Sequence, residues 1–337
     1  MKRFLFFLFL CATALFASAF DGVCWQSRLP GECLLSSLSI PGAHNAATGE
    51  GMRYVVGVGK TQSLTLGEQW NSGVRAFDLR PAVRGSELVI CHGLLPTKIS
   101  FAVALDVIRE KLKQHPSEFA IVLLREENDS ENAAERAMWP VLVGQAIESL
   151  GDVAVHYHAG LKVSDVRGKI LFISRNHYSS TARGAFVNGW SHAGEGTQSA
   201  ALVSAAGNSS ERLQVQDFYA TTSNEQRAIK RCAIERFVQL AVDAPTGVWT
   251  INFISSYSST LLSCTSMATS AGYKKSAAQH HPMLLAILEQ RKTERKPLGI
   301  LFMDYAGCNS VQGGIWHPWQ YNVQGEELVR AIAEWNF

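Results

Sequence analysis

The feature that most constrains the fold is a series of short apolar runs, each followed closely by a polar or charged residue. The runs are rich in Val, Ile, Leu and Phe, which is typical of strands buried on both faces of a parallel sheet. Eight such runs occur, at Ser37–Ile40, Val74–Leu79, Leu88–Cys91, Phe119–Leu124, Ile170–Ser174, Leu213–Asp217, Val248–Ile254 and Gly299–Met303.

Amphipathic segments separate several of these runs. The apolar residues from Phe101 to Leu112 share one helix face, which Ser100 can cap, and Ser223-Asn-Glu-Gln226 reads as a capping box that opens a second helix. Pro140 should break or kink a further helical segment. Strands that alternate with helices predict a parallel sheet with crossover helices, and eight strands favour a single distorted α/β barrel of the TIM, or (β/α)8, type.

The amino-terminal residues predict a secretory signal peptide over residues 1–19. Two basic residues precede an apolar run that ends at Phe16, and Ala17-Ser18-Ala19 offers a cleavage site. The run is shorter than the ~20 apolar residues that a spanning helix needs. We therefore expect residues 20–337 to form one barrel that is secreted or periplasmic.

Charge narrows the range of partners. Without Lys2 and Arg3, the 31 basic residues fall to 29, which equals the number of acidic residues. A neutral chain lacks the basic footprint that nucleic acid requires and the polybasic cluster that gives strong capture by anionic membranes. We expect a monomer that binds no nucleic acid and touches a membrane surface only transiently.

Cysteine usage suggests disulfide bonds. Six cysteines follow the signal peptide, and an even number in an exported protein is typical of paired thiols. Cys24 and Cys33 are close enough in sequence to close a small loop. The other four allow several pairings, and each could equally be a buried free thiol; they are Cys91, Cys232, Cys264 and Cys308.

Polar residues at the strand ends indicate where chemistry takes place. The carboxyl ends of parallel barrel strands meet at one mouth, and isolated buried charges are costly, so these side chains should contact one another. Each has an ordinary structural explanation alone, but their recurrence favours a functional site. The set comprises His44, Asp78, Arg80, His92, Arg125, Arg175, Asp217, Tyr219, Ser255 or Ser256, and Asp304.

These residue types suit attack on a phosphodiester. His44 and His92 can serve as general base and general acid, because the reference pKa of histidine lies near neutrality. Arg80 can direct a permanently charged fork at a phosphate, and Asp304 could orient one imidazole. The remaining polar residues can bond the hydroxyl groups of a sugar or cyclitol, and the ring of Tyr219 offers a face for stacking.

The sequence resembles the bacterial phosphatidylinositol-specific phospholipases C. The resemblance runs from about Ser37 to Gly307 in the segments SIPGAHNA, QWNSGVRAFDLRP, LVICHGLL, HPSEFAIVLLREEN, VRGKILFISRNHYS, VQDFY and GILFMDYAG. It implies a distorted TIM barrel in which the inositol 2-hydroxyl attacks phosphorus. This attack releases diacylglycerol and leaves a 1,2-cyclic phosphate.

The resemblance also implies a role for each strand-end residue. His44 matches the general base of the family and His92 its general acid. Arg80 matches the arginine that contacts the phosphate, next to the carboxylate of Asp78. Asp304 matches the carboxylate paired with the base. Residues that hold the inositol ring are matched by Arg175, Asp217 and Tyr219, and Arg125 stands where the bacterial enzymes generally have Lys.

One departure from the family concerns Asn45. The bacterial motif usually reads His-Asp, and that Asp assists the general acid, so Asn45 is expected to weaken proton donation. Calcium-dependent eukaryotic relatives do carry a His-Asn pair, but Arg80 stands where they place a carboxylate. A guanidinium repels Ca²⁺, so we predict an enzyme without metal or other cofactor in which Arg80 takes over the electrostatic role of the cation.

Three readings of the function remain open. The first is a phosphatidylinositol phosphodiesterase of the lyase type, which could also act on glycosylphosphatidylinositol anchors. The second is a metal-dependent glycerophosphodiesterase, and the third is a catalytically silent inositide-binding protein. The segment from His177 to Gln198 could contact lipid or form a packed loop, and we predict that His280 and His281 are surface residues.

Overall fold

Nine strands close into a barrel at the centre of the computed structural model. The structure describes residues 20–337, with the exception of 54–58, 128–132, 180–181, 192–193, 222, 258–270 and 315–316. The predicted signal peptide and Cys264 therefore lie outside the described residues. The barrel strands, in spatial order, are β1 (Ser39–Ala43), β12 (Gly299–Met303), β11 (Trp249–Phe253), β10 (Ser210–Gln216), β9 (Thr197–Ser204), β8 (Ala185–Asn188), β7 (Ile170–Ser174), β6 (Ala120–Leu124) and β2 (Ala76–Leu79).

The predicted α/β barrel is confirmed, with one difference in strand direction. Neighbouring strands are parallel except around β9, which pairs antiparallel with both β8 and β10. Strand β8 and the start of β9 lie in the segment from His177 to Gln198, for which the sequence suggests lipid contact or a packed loop. The barrel thus has one strand more than the eight expected, and its distortion is concentrated at this pair.

A separate sheet of three antiparallel strands replaces one predicted barrel strand. It comprises β3 (Pro81–Arg84), β4 (Glu87–His92) and β5 (Leu95–Ser100), and the predicted strand Leu88–Cys91 lies within β4 rather than in the barrel. This side sheet follows β2 directly. The backbone N–H of Cys91 donates to the Arg80 carbonyl at 3.0 Å, which places the end of β4 beside the mouth of the barrel.

Helices surround the barrel, and a two-stranded sheet of β13 (Ser310–Gly314) and β14 (His317–Asn322) follows β12. The predicted caps are confirmed, since Ser100 accepts a bond from Val103 N and Ser223 forms a capping box with Gln226. Of the expected break or kink at Pro140, the break is not found, because the helix continues through this residue. The helices are α1 (Leu66–Ser72), α2 (Phe101–Gln114), α3 (Ala133–Glu148), α4 (Val163–Val166), α5 (Asn224–Asp243), α6 (Ala271–Gln290) and α7 (Gly325–Glu334).

The barrel strands are apolar on both faces because each face packs against a different layer. Along β6, Val122 and Leu124 belong to the cluster that includes the inner faces of α2 and α3, whereas Ile121 and Leu123 belong to the cluster that fills the barrel. Continuous apolar runs, rather than alternating ones, are the sequence pattern of such strands. This double burial is why most of the predicted strands are correct.

The expected bridge between Cys24 and Cys33 is not formed, since both are free thiols, as are Cys91, Cys232 and Cys308. The Cys24 Sγ instead contacts Nδ1 of His115 at 3.3 Å. Within the described residues, no helix combines the length and apolarity that crossing a bilayer requires.

The prediction that His280 and His281 are surface residues is wrong. Each is only 1% exposed, on the inner side of α6. Their Nδ1–H groups donate to backbone carbonyls, that of Ile254 at 3.0 Å and that of Val323 at 2.8 Å. Burial lowers the pKa of His281 from 6.5 to about 4.

The buried His281 should make the fold sensitive to acid. Unfolded His281 binds a proton near pH 6.5 and the folded form only near pH 4, so its stabilising contribution is complete above pH 6.5 and is lost as the pH falls. At pH 5 this one group should lower the free energy of unfolding by ~2 kcal/mol. His281→Asn keeps a donor for the carbonyl of Val323 but removes the titrating group. In urea unfolding, its free energy of unfolding should fall less between pH 7.5 and pH 5 than that of the wild type. His158→Asn, at an exposed position, is the control, and equal losses in both variants would contradict the prediction.

Candidate functional site

His44 lies directly after β1, where its ring reaches the mouth of the barrel. Its Nδ1–H donates to Oδ1 of Asp304, which follows β12, at 2.7 Å. Since β1 and β12 are paired neighbours, their carboxyl ends bring the two side chains together. The bond fixes the tautomer, so that Nε2 of neutral His44 carries a lone pair that faces the site. Burial raises the pKa of Asp304, although the attraction of His44 opposes this effect.

Asn45 occupies a left-handed backbone conformation, with φ of 44°. Asn and Asp tolerate this conformation better than other non-glycine residues. The backbone N–H of Asn45 donates to Asp78 at 3.1 Å, and its side-chain Nδ2 lies 3.1 Å from Nε2 of His44. The side-chain amide of Asn45 thus lies within hydrogen-bonding distance of the predicted base.

Asp78 and Arg80 form a buried ion pair at the end of β2. The Nη2 of Arg80 lies 2.9 Å from Oδ2 of Asp78, and its Nε lies 3.2 Å from the same oxygen. That oxygen is also 4.0 Å from Nε2 of His44. The predicted base and the predicted phosphate-binding arginine therefore share one mouth of the barrel, on either side of a single carboxylate.

The charges of this pair are mutually stabilised. Burial alone would raise the pKa of Asp78, but Arg80 and His44 outweigh it and hold the pKa below its ordinary value. Burial likewise works to lower the pKa of Arg80, yet Asp78 and Glu127 raise it. Arg80 is thus a permanent cation, only 8% exposed. A buried guanidinium of this kind can stabilise anionic oxygens strongly.

Glu127 is a site residue that the sequence interpretation missed. Its carboxylate lies 3.6 Å from Arg80, 3.6 Å from Arg125 and accepts a bond from the backbone N–H of Gly93 at 2.7 Å. Gly93 follows His92 directly. One buried carboxylate therefore ties the side sheet to two arginines at the barrel mouth, and the signal in the sequence was only an acidic pair after a strand.

His92 approaches the site from the side sheet, at the end of β4. Its Nδ1–H donates to the carbonyl of Gly59 at 2.6 Å, so Nε2 is again the nitrogen that faces the site. Burial, followed by the charges of Arg80 and His44, lowers the pKa of His92 from 6.5 to about 4. His92 is therefore neutral near pH 7 in the ligand-free protein. Asn45 contacts His44 rather than His92.

The two imidazoles are neighbours at the barrel mouth in an edge-to-face arrangement. Their ring centroids are 6.3 Å apart and the rings are nearly perpendicular, at 78°. Because each ring is anchored through Nδ1, both present Nε2 toward the mouth. This geometry permits one ring to remove a proton and the other to supply one on opposite sides of a reacting centre.

Arg175 and Asp217 form a second ion pair on the same mouth. Their closest atoms, Nη1 and Oδ2, are 3.3 Å apart, and Nε1–H of Trp190 donates to the same carboxylate oxygen at 3.0 Å. The guanidinium lies 4.1 Å from the centre of the Trp190 ring. Trp190 thus packs within the site. Its contacts with Asp217 and Arg175 account for its position without contact between its segment and lipid. Burial lowers the pKa of Arg175 to about 10.

Arg125 and Tyr219 complete the set of predicted residues. Arg125 follows β6, keeps its side chain 20% exposed and lies near Glu127. Tyr219 is partly buried, and burial raises its pKa, while Arg125 and Asp217 also act on it electrostatically. Both side chains lie toward the arginine-rich side of the mouth. All the predicted site residues therefore gather at one end of the barrel.

Lys230 is a second residue that the sequence did not reveal. It lies on α5, fully buried, and its Nζ donates to Gln216 at 3.2 Å and to the Phe253 carbonyl at 2.5 Å. It thereby joins the ends of β10 and β11 beneath the site. Burial lowers the pKa of Lys230 to about 7.

The carboxylate of Asp78 is already paired with a cationic side chain. The guanidinium of Arg80 already occupies the carboxylate of Asp78 through Nε and Nη2. A second cation at that carboxylate would be repelled at short range. Among the described residues, no three His, Cys, Asp or Glu side chains are grouped so that they could hold a metal ion.

Comparison with known families matches the first part of the chain. Residues 38–176 match the sequence profile of the phosphatidylinositol-specific phospholipase C X domain. The matched region contains His44, Arg80, His92 and Arg175. Asp217 and Asp304 lie beyond it and are brought to the same site by the fold.

Two curated relatives are similar over part of their length. The chain is 30% identical to the 1-phosphatidylinositol phosphodiesterase of Listeria monocytogenes over 159 residues, which cover 45% of this chain and 49% of that protein. It is 24% identical to the Staphylococcus aureus protein of the same name over 202 residues, or 58% of this chain and 64% of that protein. The similarity thus spans between about half and just under two thirds of these relatives.

Solved structures share the fold over nearly the whole chain. The phosphatidylinositol-specific phospholipase C from Listeria monocytogenes superposes with a TM-score of 0.65 at 22% identity, covering 94% of this chain and 100% of that one. A Staphylococcus aureus phosphatidylinositol-specific phospholipase C, described for the modulation of its membrane binding, gives a TM-score of 0.70 at 20% identity, covering 92% and 97%. At these identities the likeness establishes the barrel architecture.

Proposed function

We propose that the chain cleaves phosphatidylinositol as a phosphorus–oxygen lyase, and the proposal starts from the match of residues 38–176 to the phosphatidylinositol-specific phospholipase C X domain. The inositol 2-hydroxyl attacks phosphorus, the bond from phosphorus to the glycerol oxygen breaks, and the products are diacylglycerol and inositol 1,2-cyclic phosphate. The observation that carries the proposal is the shared carboxylate of Asp78, which lies 4.0 Å from His44 and 2.9 Å from Arg80.

His44 is the proposed general base. With Nδ1 bonded to Asp304, its Nε2 accepts the proton of the 2-hydroxyl as that oxygen attacks. The buried carboxylate of Asp304 then stabilises the imidazolium that forms, as the third member of a catalytic triad does. Attack by a hydroxyl of the same molecule adds a proximity advantage of ~7–11 kcal/mol when the geometry is good.

Arg80 is the proposed stabiliser of the phosphoryl oxygens. Its guanidinium is buried and oriented by Asp78, so it needs little reorganisation when negative charge develops in the transition state. The same interaction supports a reaction without metal or other cofactor, because the cation that a calcium-dependent relative would bind is supplied here by a side chain.

His92 is the proposed general acid. It must be protonated to give its proton to the glycerol oxygen, although its pKa is about 4 in the ligand-free protein. A bound phosphodiester brings a negative charge beside Arg80 and His92, and this charge raises the pKa of the imidazole toward the working range. Substrate binding thus prepares the acid for its role.

Arg175, Asp217 and Tyr219 are the proposed contacts of the inositol ring, with Arg125 nearby. Charged hydrogen bonds from guanidinium and carboxylate groups suit the ring hydroxyls, and a tyrosine ring suits a cyclitol face. Since all these contacts address inositol and phosphate, the inositol-phosphate linkage of a glycosylphosphatidylinositol anchor is included among the proposed substrates. We further propose that the protein acts as an exported monomer in transient contact with the lipid surface.

Phosphorus NMR tests reaction type and metal use together. Purified protein is incubated with phosphatidylinositol in detergent, with and without EDTA. We expect the resonance of a five-membered cyclic phosphate to appear at equal rates in both samples, because the charges at phosphorus come from Arg80 rather than from a metal.

Each other outcome of this experiment would contradict part of the proposed function or favour an alternative function. Loss of turnover with EDTA would overturn metal independence and favour a metal-dependent glycerophosphodiesterase. A linear inositol phosphate without a cyclic intermediate would contradict attack by the 2-hydroxyl. Saturable binding of inositol lipid without any product would indicate a catalytically silent inositide-binding protein.

A further inference from the structure

The catalytic nitrogen of His92 has a neighbour that none of the sequence motifs includes. Tyr273, on the first turns of α6, places its hydroxyl 3.4 Å from Nε2 of His92. The two rings are tilted, with centroids 5.7 Å apart. Since Nδ1 of His92 is occupied by the carbonyl of Gly59, Tyr273 stands at the nitrogen that would deliver a proton.

Tyr273 is held in this position from its other side. Its ring packs on Tyr257 with centroids 5.6 Å apart, and the backbone N–H of Tyr257 donates to the carbonyl of Tyr219 at 2.7 Å. Tyr219 is a proposed contact of the inositol ring. The tyrosine hydroxyl at His92 is therefore connected to the backbone of Tyr219 by one ring contact and one backbone hydrogen bond.

The hydroxyl of Tyr273 stays protonated. Burial raises the pKa of Tyr273 above its ordinary value, and Asp304 and Tyr257 raise it further. A hydroxyl can donate to the lone pair of neutral Nε2 and, after rotation, accept from the N–H of the protonated ring. It can thus bond His92 in both protonation states, which neither Asn45 nor Gly59 can do at this nitrogen.

We propose that Tyr273 is a positioning residue for proton transfer from His92 to the leaving group, a role that rests on the phospholipase C activity proposed above. Its hydroxyl accepts from Nε2–H of the charged ring and holds that N–H in place before transfer. As the bond from phosphorus to the glycerol oxygen breaks, that oxygen keeps the electron pair, replaces the hydroxyl as the acceptor of Nε2–H and takes its proton. The hydroxyl of Tyr273 then donates to the neutral ring.

Two substrates that differ only in their leaving group separate this role from a structural one. Phosphatidylinositol releases an alkoxide, which needs a proton as it departs, whereas an inositol nitrophenyl phosphate releases a stable phenolate that needs little help. Tyr273→Phe keeps the ring on Tyr257 and removes the hydroxyl alone. We expect kcat for phosphatidylinositol to fall about tenfold and kcat for the nitrophenyl substrate to change less than about twofold.

Two further variants provide a reference for a large effect and a control without effect. His92→Ala should show the same dependence on the leaving group with a larger loss on phosphatidylinositol, because it removes the acid itself. Tyr321→Phe is the matched control, since Tyr321 packs against the same small apolar cluster as Tyr273. It should leave both rates unchanged.

The outcomes distinguish this inference from the proposed function. An equal loss on both substrates in Tyr273→Phe, or no loss on either, would overturn the positioning role while leaving the phospholipase activity intact. Wild-type protein that cleaves neither substrate would overturn the proposed function and this role with it. A selective loss on phosphatidylinositol supports both.

Discussion

Replacing His44 by Ala is expected to lower kcat for phosphatidylinositol by ~10³-fold, within the range that a general base contributes. No other described side chain presents an imidazole lone pair at the proposed position of the inositol 2-hydroxyl. The other imidazole of the site, His92, stands across from His44, with the two ring centroids 6.3 Å apart. The variant also leaves the buried carboxylate of Asp304 without its partner, so a change of pH should not restore the rate. Initial rates of cyclic phosphate formation measure the effect.

The matched control for His44→Ala is His158→Ala. His158 is exposed and lies far along the chain from every site residue, in the connection that leads to β7. It should turn over substrate like the wild type. Circular dichroism of both variants establishes that they are folded. A His44→Ala enzyme that keeps more than about a tenth of the wild-type rate would refute the assignment of the base.

Replacing Arg80 by Lys should have the second large effect, a fall in kcat/KM of ~10²–10³-fold. Lysine keeps the positive charge but loses the planar fork that bonds Asp78 through Nε and Nη2 while facing Glu127. The ammonium would therefore sit off the line along which Arg80 meets a phosphoryl oxygen. Steady-state kinetics on phosphatidylinositol at constant detergent measure the loss.

Arg75→Lys provides a control beside the same strand. Arg75 directly precedes β2, whereas Arg80 directly follows it, and Arg75 is fully buried in an ion pair with Glu118 at 2.8 Å. Its substitution should lower the free energy of unfolding, as that of Arg80 does, yet leave kcat/KM within about twofold of the wild type, since it lies away from the mouth. Comparable kinetic losses in the two variants would show that the effect of Arg80 is one of stability.

The barrel could be predicted from the sequence wherever strands are apolar on both faces. Strands β6 and β7 are buried at every position and appear as unbroken apolar runs. Strand β9 is buried only at Leu202 and Ser204, and its Ser- and Ala-containing sequence does not stand out from a loop. The run in β4 was recognised as a strand, but an apolar run does not say which sheet it joins.

The candidate site was predictable where a polar residue ends an apolar strand, as at His44, Arg80 and Asp304. Lys230 was missed because it lies in a charged stretch of α5 that looks solvated, and Tyr273 because helix starts carry no strand-end signal. Glu127 was missed since a carboxylate near arginines suggests a surface ion pair. Whether such a residue belongs to the site or to the solvated surface depends on its burial, and its burial depends on how elements distant in sequence pack together.

The side sheet makes the proposed chemistry depend on a part of the chain with no strand in the barrel. His92 is carried by β4, and this sheet is joined to the barrel mouth by the bond between Cys91 and Arg80 and by that between Gly93 and Glu127. Native proteins open locally in units whose free energies are smaller than that of global unfolding. Detachment of this unit would separate the proton donor from the base while the surrounding cylinder kept its strands. Catalytic competence would then be more fragile than the architecture, and amide hydrogens of β3–β5 would exchange with solvent earlier than those of β6 and β7.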